Sequence, residues 1–158
     1  MARDDGHALA GVWVMNIEAL MTPNPACCTP ETPVAEVAQL MKQHDCGEIP
    51  VVASANGSAL VGVVTDRDIV LRLIAKGEDV RGATAASCMT QPALCLPPDA
   101  QVSDAIEMMQ AHQVRRLPVV NDDGEVCGIV AQADLARWAS AEQTGDLVRD
   151  VSEPQSHA

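Results

Sequence analysis

The chain repeats itself. The stretch M-T-P-N-P-A-C-C-T-P-E-T-P-V-A-E-V-A-Q-L-M-K-Q-H from Met21 runs in step with M-T-Q-P-A-L-C-L-P-P-D-A-Q-V-S-D-A-I-E-M-M-Q-A-H from Met89, 68 residues on and without a gap. Met21/Met89, Thr22/Thr90, Cys27/Cys95, Pro30/Pro98, Val34/Val102, Met41/Met109 and His44/His112 coincide, and Pro50-Val51-Val52 meets Pro118-Val119-Val120. After a loop two residues shorter, Gly62-Val-Val-Thr65-Asp-Arg-Asp68 meets Gly128-Ile-Val-Ala131-Gln-Ala-Asp134. A duplicated unit constrains every assignment, because an element proposed for one copy has to suit the other.

Each copy parses as β-α-β-β-α. Extended pieces at Ala26–Thr29 and Ala93–Leu96 precede proline-rich punctuation. Helices follow over Pro33–His44 and Gln101–His112. Val34, Val37, Ala38 and Met41 fall on one face of the first, and Val102, Ala105, Ile106 and Met109 on one face of the second. Next come β-branched runs at Ile49–Ala53 and Leu60–Thr65, joined through Asn56-Gly57; the copy has Leu117–Asn121 and Val126–Ala131, joined through Asp123-Gly124. Both dipeptides are hairpin signals. Closing helices span Asp66–Lys76 and Gln132–Ala141. In the first, Ile69, Val70, Leu71, Leu73 and Ile74 cover more than one stripe, which predicts burial on two sides and hints at a homodimer. The units are expected over residues 15–79 and 80–141, after an N-terminal extension (1–14) in which Val12-Trp13-Val14 is a candidate anchoring or swapped segment. A loose polar tail follows (142–158).

With 47% hydrophobic residues the chain is not a disordered one. Two Trp and no Phe or Tyr leave Val, Ile, Leu, Met and Ala to build the core, so a ligand ring has to lie against aliphatic groups and backbone. A formal net charge of −12 repels polyanions, and both the cations for duplex phosphates and the aromatics for RNA bases are scarce. Nucleic acid is therefore not an expected partner, whereas a small nucleotide remains compatible with a few local arginines. The N-terminal M-A-R-D-D-G-H carries no signal-peptide pattern, and no window approaches a membrane span. A cytoplasmic protein with reduced thiols is expected. The six cysteines form no C-x-x-C pair and no zinc-like spacing. No nucleophile–base pair, phosphate loop or H-E-x-x-H motif is visible, so an enzyme is not expected.

Two aligned copies that open on Met-Thr, carry [Ile/Leu]-Pro-Val-Val midway and end in G-h-h-x-x-x-D resemble the cystathionine-β-synthase (CBS) domain family, over about residues 15–139. The resemblance implies an α+β fold, with two β-α-β-β-α repeats packed sheet to sheet about a pseudo-two-fold axis. It further implies a regulatory module that binds AMP, ADP or ATP between the repeats, acts on a protein partner unknown here, and often dimerises. S-adenosylmethionine and NAD are alternative ligands. Carried over residue by residue, Asp68 takes the ribose hydroxyls with Thr65 beside it, and Arg67 offsets a nearby acid. Amides at the start of the next helix favour the phosphate. In the copy Asp134 stands, but Ala131 has no hydroxyl. Arg115 and Arg116, before Leu117-Pro118, are placed for phosphates; Glu48, before Ile49-Pro50, is an acid in the matching position. Strand neighbours face opposite ways, which favours one arginine, Arg116. The base is expected against Ile49 and Leu117 and the segments after Met21 and Met89, including Thr22, Ala26, Thr90 and Leu94. In the family those segments tend to serve the cleft whose Asp belongs to the other repeat.

Other roles compete for these residues. Thr65-x-x-Asp68 also fits a capping box, Arg115 and Arg116 also suit a strand edge, and His44 and His112 also complement helix C-termini. A second class of function is a thiol or metal sensor built on Cys27, Cys28, Cys46, Cys95 and the paired histidines. Its weakness is that vicinal strand cysteines point apart and no basic pair is nearby to activate a thiol.

Overall fold

The computed structural model describes residues 15–138, together with the backbone of Ala8–Leu9 (β1) and Val12–Trp13 (β2), which pair antiparallel. The remaining elements are β3 (Thr22–Pro23), α1 (Val34–His44), β4 (Glu48–Ser54), β5 (Gly57–Thr65), α2 (Asp66–Arg72), α3 (Val102–His112), β6 (Arg116–Val120), β7 (Val126–Ala131) and α4 (Gln132–Ala136). Short 3₁₀ turns lie at Ile17–Ala19, Ile74–Lys76 and Ala85–Ser87. The expected helix over Asp66–Lys76 is thus an α-helix followed by a tighter turn, stopped by Gly77 at φ 72°. The expectation for 139–141, like those for most of 1–14 and for 142–158, lies outside the described residues.

Each unit builds its own core. In the first, α1 buries Val34, Val37 and Met41 against Ile49, Val51 and Val64 of the β4–β5 hairpin; in the second, Ala105, Ile106 and Met109 of α3 meet Leu117, Val119 and Val130. Ala38, expected on the buried face of α1, is exposed. Matching hairpin registers (Ile49 opposite Val64, Leu117 opposite Val130) and matching parallel bridges (Cys28 with Val51, Leu96 with Val119) preserve the sequence repeat in three dimensions.

The leading segments are exchanged between the cores. Ile17, fully buried, belongs to the second core, and β3 pairs with β7 through Thr22 opposite Ile129. The equivalent Ala85 belongs to the first core, and Thr90 pairs with Val63 of β5 by two backbone hydrogen bonds of 2.8 and 3.0 Å. Gly62 and Gly128 permit these crossings. A Cβ on Gly62 would stand 2.7 Å from the Thr90 carbonyl oxygen, and one on Gly128 would collide with the Met21 thioether. The glycine of each G-h-h motif is thus a close-approach position.

Candidate functional site

The crossings deliver the candidate residues in pairs. Thr90 sits on β5 two residues before Thr65, and Thr22 sits on β7 two residues before Ala131, so each leading segment lies beside the other unit's acid-bearing turn. Ala26 is half-buried and packs on the first core; Leu94 is exposed. Thr65 ends β5 in extended conformation and caps α2. Its Oγ1 accepts from the Asp68 N–H at 3.0 Å, and Asp68 Oδ2 accepts from the Thr65 N–H at 3.0 Å. The capping box is therefore closed, and Arg72 Nε stands 3.6 Å from Asp68 Oδ1. In the copy only half survives: Asp134 Oδ2 accepts from the Ala131 N–H at 2.9 Å, and alanine has nothing to offer in return. Both aspartates keep spare lone pairs, since each carboxylate oxygen accepts more than one hydrogen bond.

Period-two alternation sorts the strand residues. Ile49 and Leu117 are each 1% exposed and point into the two cores, so they shape the seam from behind rather than offer a face to a base. The opposite face of β4 carries Glu48 and Pro50, and that of β6 carries Arg116 and Pro118. Arg115 is exposed, with its carbonyl accepting the Gln132 N–H at 2.9 Å, whereas Arg116 is half-buried. Arg67 is exposed, and its backbone N–H donates to Asp66 Oδ1 at 2.7 Å. By chain order Arg116 belongs to the repeat that carries Asp134. In the fold its Nη1 lies 3.4 Å from the position of a Cβ on Gly47, with Asp66 Oδ2 3.0 Å from the same point. Arg116 therefore crosses the seam and joins Glu48, Asp66 and Asp68, and no ion pair links it to Asp134 among the described residues.

Glu48 is the residue the sequence understates. It is 7% exposed, faces Thr65 across the β4–β5 ladder, and its Oε1 has no hydrogen-bond partner. Burial pushes its carboxyl up to about 7; Arg116 opposes the shift and Asp68 adds to it. Its sequence signal was its register with Arg116, an acid where the copy has a base.

Two open concavities of about 540 Å³ each are lined by residues other than these candidates. One runs along Cys27, Cys28, Thr32, Val52 and the β4–β5 turn, the other between Arg72, Lys76, Asp79 and Ser87. Cys28 is buried, and desolvation, with lesser help from Cys27, Cys88 and Glu36, pushes its thiol up to about 12; burial also raises Cys27, Cys88 and Cys127. All six cysteines are free thiols. Among the described residues no group of three or more His, Cys, Asp or Glu side chains is arranged to hold a metal ion, and no helix is long and apolar enough to cross a membrane.

Two homologous β-α-β-β-α units, each lending the other its leading strand, define a tandem pair of a single domain family. Residues 17–75 and 85–141 each match the sequence model of the CBS domain, and the chain belongs to the CBS domain family. It is 39% identical over 144 residues to the CBS domain-containing protein YhcV of Bacillus subtilis, covering 90% of this chain and 99% of the relative. A crystal structure of Hypoxic Response Protein I with two coordinated zinc ions superposes with a TM-score of 0.71 at 31% identity, covering 80% of this chain and 100% of that one. CBSX2, a CBS-pair protein of Arabidopsis thaliana, has been solved in complex with AMP. It superposes with a TM-score of 0.65 at 29% identity, over 77% of this chain and 93% of its own.

Proposed function

We propose that this chain is a non-catalytic regulatory module that binds an adenine nucleotide (AMP, ADP or ATP) at the seam between its repeats. Binding changes the relation of the two units, and an unidentified protein partner or a second copy of the chain reads that change. The observation that carries the reading is the exchange of leading segments: it sets Thr90 beside Thr65 and Asp68, and Thr22 beside Asp134. The AMP complex of CBSX2 supports the ligand class. Asp68 and Asp134 take the ribose hydroxyls, and Arg116 and Arg67 are the cations for the phosphate. S-adenosylmethionine and NAD are the alternative adenosine ligands. The two sites differ, because Ala131 lacks the hydroxyl of Thr65.

The exposed Val70, Leu71 and Ile74 form the face of a homodimer, with Val70 at 49% and Ile74 at 56% exposure. Leu71→Glu then yields a monomer in light scattering where the wild type is a dimer. The units are assigned to 15–79 and 80–141 and the protein to the cytoplasm. The thiol alternative is opposed at Cys27 and Cys28, where burial raises both thiols, and among the described residues no group of three or more candidate ligands is arranged to hold a metal ion.

The test is a calorimetric and thermal-melt panel of AMP, ADP, ATP, S-adenosylmethionine and NAD on the purified chain. At 100 times Kd a bound ligand stabilises by about 2.7 kcal/mol, an upward shift of roughly 5–10 °C for a chain of this size. Asp68→Ala and Asp134→Ala, tested separately, report which side binds. No heat and no shift with any of the five compounds refutes the proposal.

A further inference from the structure

Nothing in the fold of β4 demands an acid at its first residue. Glu48 and Arg116 occupy equivalent positions at the heads of β4 and β6, with opposite charge. They approach each other across the seam, yet no ion pair within 4 Å joins them, and Glu48 Oε1 is buried without a partner. A buried carboxylate left unpaired is costly, and the cost falls when it takes a proton. The charged groups facing it are Arg116 from β6 and Asp68 from α2, with Asp66 at the head of the same helix against Gly47. Thr65, opposite on β5, adds no charge.

We infer that Glu48 couples ligand binding at this seam to a proton, so that a 5′-phosphate is accepted beside Arg116 when Glu48 is in its acid form and opposed when it is ionised. The inference rests on the nucleotide reading above. An anion brought beside a buried carboxyl raises the carboxyl's affinity for a proton, and by linkage the proton raises affinity for the anion. Burial outweighs Arg116 and pushes the carboxyl up to about 7. If the phosphate binds only the acid form, apparent affinity falls about tenfold between pH 6 and pH 8. Glu48 thereby sets which ionic form of the seam is competent, a specificity role without contact to the ribose.

The experiment is isothermal titration of the full chain with the methyl ester of AMP at pH 6, 7 and 8, in buffers of different ionisation heat. The ester is chosen because AMP itself loses a phosphate proton near pH 6, whereas the diester keeps one charge throughout. The expected result is uptake of a proton on binding and an affinity about tenfold weaker at pH 8 than at pH 6. In Glu48→Gln the affinity is flat across the range and the heat no longer depends on the buffer. With AMP in place of the ester, the difference between wild type and E48Q isolates the same term. Binding with no pH slope in the wild type, or a slope that persists in E48Q, overturns the inference and leaves the nucleotide reading standing. No binding of the ester, AMP, ADP or ATP at pH 6 to either protein removes both. Should E48Q not fold, carboxyl ¹³C NMR of glutamate-labelled wild type decides. One glutamate titrating near 7 and moving upward with ligand supports the inference, and none titrating above 6 overturns it.

Discussion

Replacing Gly62 by alanine tests the strand exchange without a ligand. The added methyl carbon would sit 2.7 Å from the Thr90 carbonyl oxygen, a backbone atom that moves only with its strand. That strand is held to Val63 by the 2.8 and 3.0 Å hydrogen bonds, so relief of the clash strains or breaks them. Overpacking of this kind costs about 1–3 kcal/mol, and each weakened hydrogen bond adds about 0.5–1.5 kcal/mol. Against this, alanine recovers roughly 0.5–1 kcal/mol over glycine in a strand. The net expectation for Gly62→Ala is a loss of about 3 kcal/mol, a fall in Tm of roughly 6–12 °C. Gly128→Ala is the internal control. Its nearest obstacle is the Met21 thioether, with Met21 Cγ at 2.8 Å, and a methionine side chain can change rotamer. An off-rotamer cost of about 0.5–1.5 kcal/mol nearly cancels the glycine gain, so that variant is expected within about 1 kcal/mol of wild type. Urea unfolding of the three proteins measures both. A Gly62→Ala protein as stable as wild type, or a larger loss at Gly128 than at Gly62, refutes the close-approach account of the motif.

The half-lost capping box gives a reciprocal pair: Thr65→Ala is expected to lose about 1 kcal/mol, and Ala131→Thr to gain a few tenths to 1 kcal/mol by completing the box with Asp134, both read from urea midpoints. Cys28, with its thiol pushed up to about 12, stays protonated between pH 6 and 9. It is expected to resist a thiol reagent in the native protein and to react once urea exposes it, with mass mapping to identify the site. Glu48 links stability to pH independently of any ligand: its folded pKa, about 7, lies above the ordinary 4.5. The stabilisation of its acid form is fully present below pH 4.5 and is lost as pH rises through 7. Glu48→Gln should therefore be about 2–3 kcal/mol more stable than wild type at pH 8 and indistinguishable from it near pH 4. A constant difference across that range contradicts the burial of this carboxyl.

What was legible in the sequence follows from what is local. Val126–Ala131 agrees with β7 to the residue, because a short apolar run bounded by Asp123-Gly124 and a helix start leaves little choice. The ends of β4 and β5 extend beyond the β-branched runs, since pairing continues through Ser54 and Gly57 where side chains give no periodic signal. Ala38 fits the helical stripe of α1 and still lies outside the core, as one small side chain barely distinguishes adjacent faces. The exchange of leading segments is tertiary and has no local signature apart from the paired glycines. Thr65 and Asp68 were legible both as a cap and as a ligand site; the closed capping box shows the first, and the second is the reading that the nucleotide panel tests. Ile49 and Leu117 were legible as apolar but not as inward-facing, because the flanking Glu48 and Arg116 disguise which face of each strand is the buried one.

That disguise has a physical consequence at the pseudo-two-fold. Had both units kept an arginine before their Pro-Val-Val strands, two cations would converge at the seam and repel each other without an anion between them. Had both kept an acid, the seam would hold two buried carboxyls beside Asp68 and Asp134. One of each sign lets the two strand heads pack together, with Arg116 reaching Gly47 and Glu48 buried. The accommodation is incomplete: no close ion pair forms and Glu48 Oε1 stays unpartnered, so this packing favours the protonated acid. A duplicated fold in which one position has changed sign thus has an electrostatic preference that neither copy would have alone. An anion placed beside Arg116 would compete with Glu48 for it, and less so as the carboxyl takes up its proton.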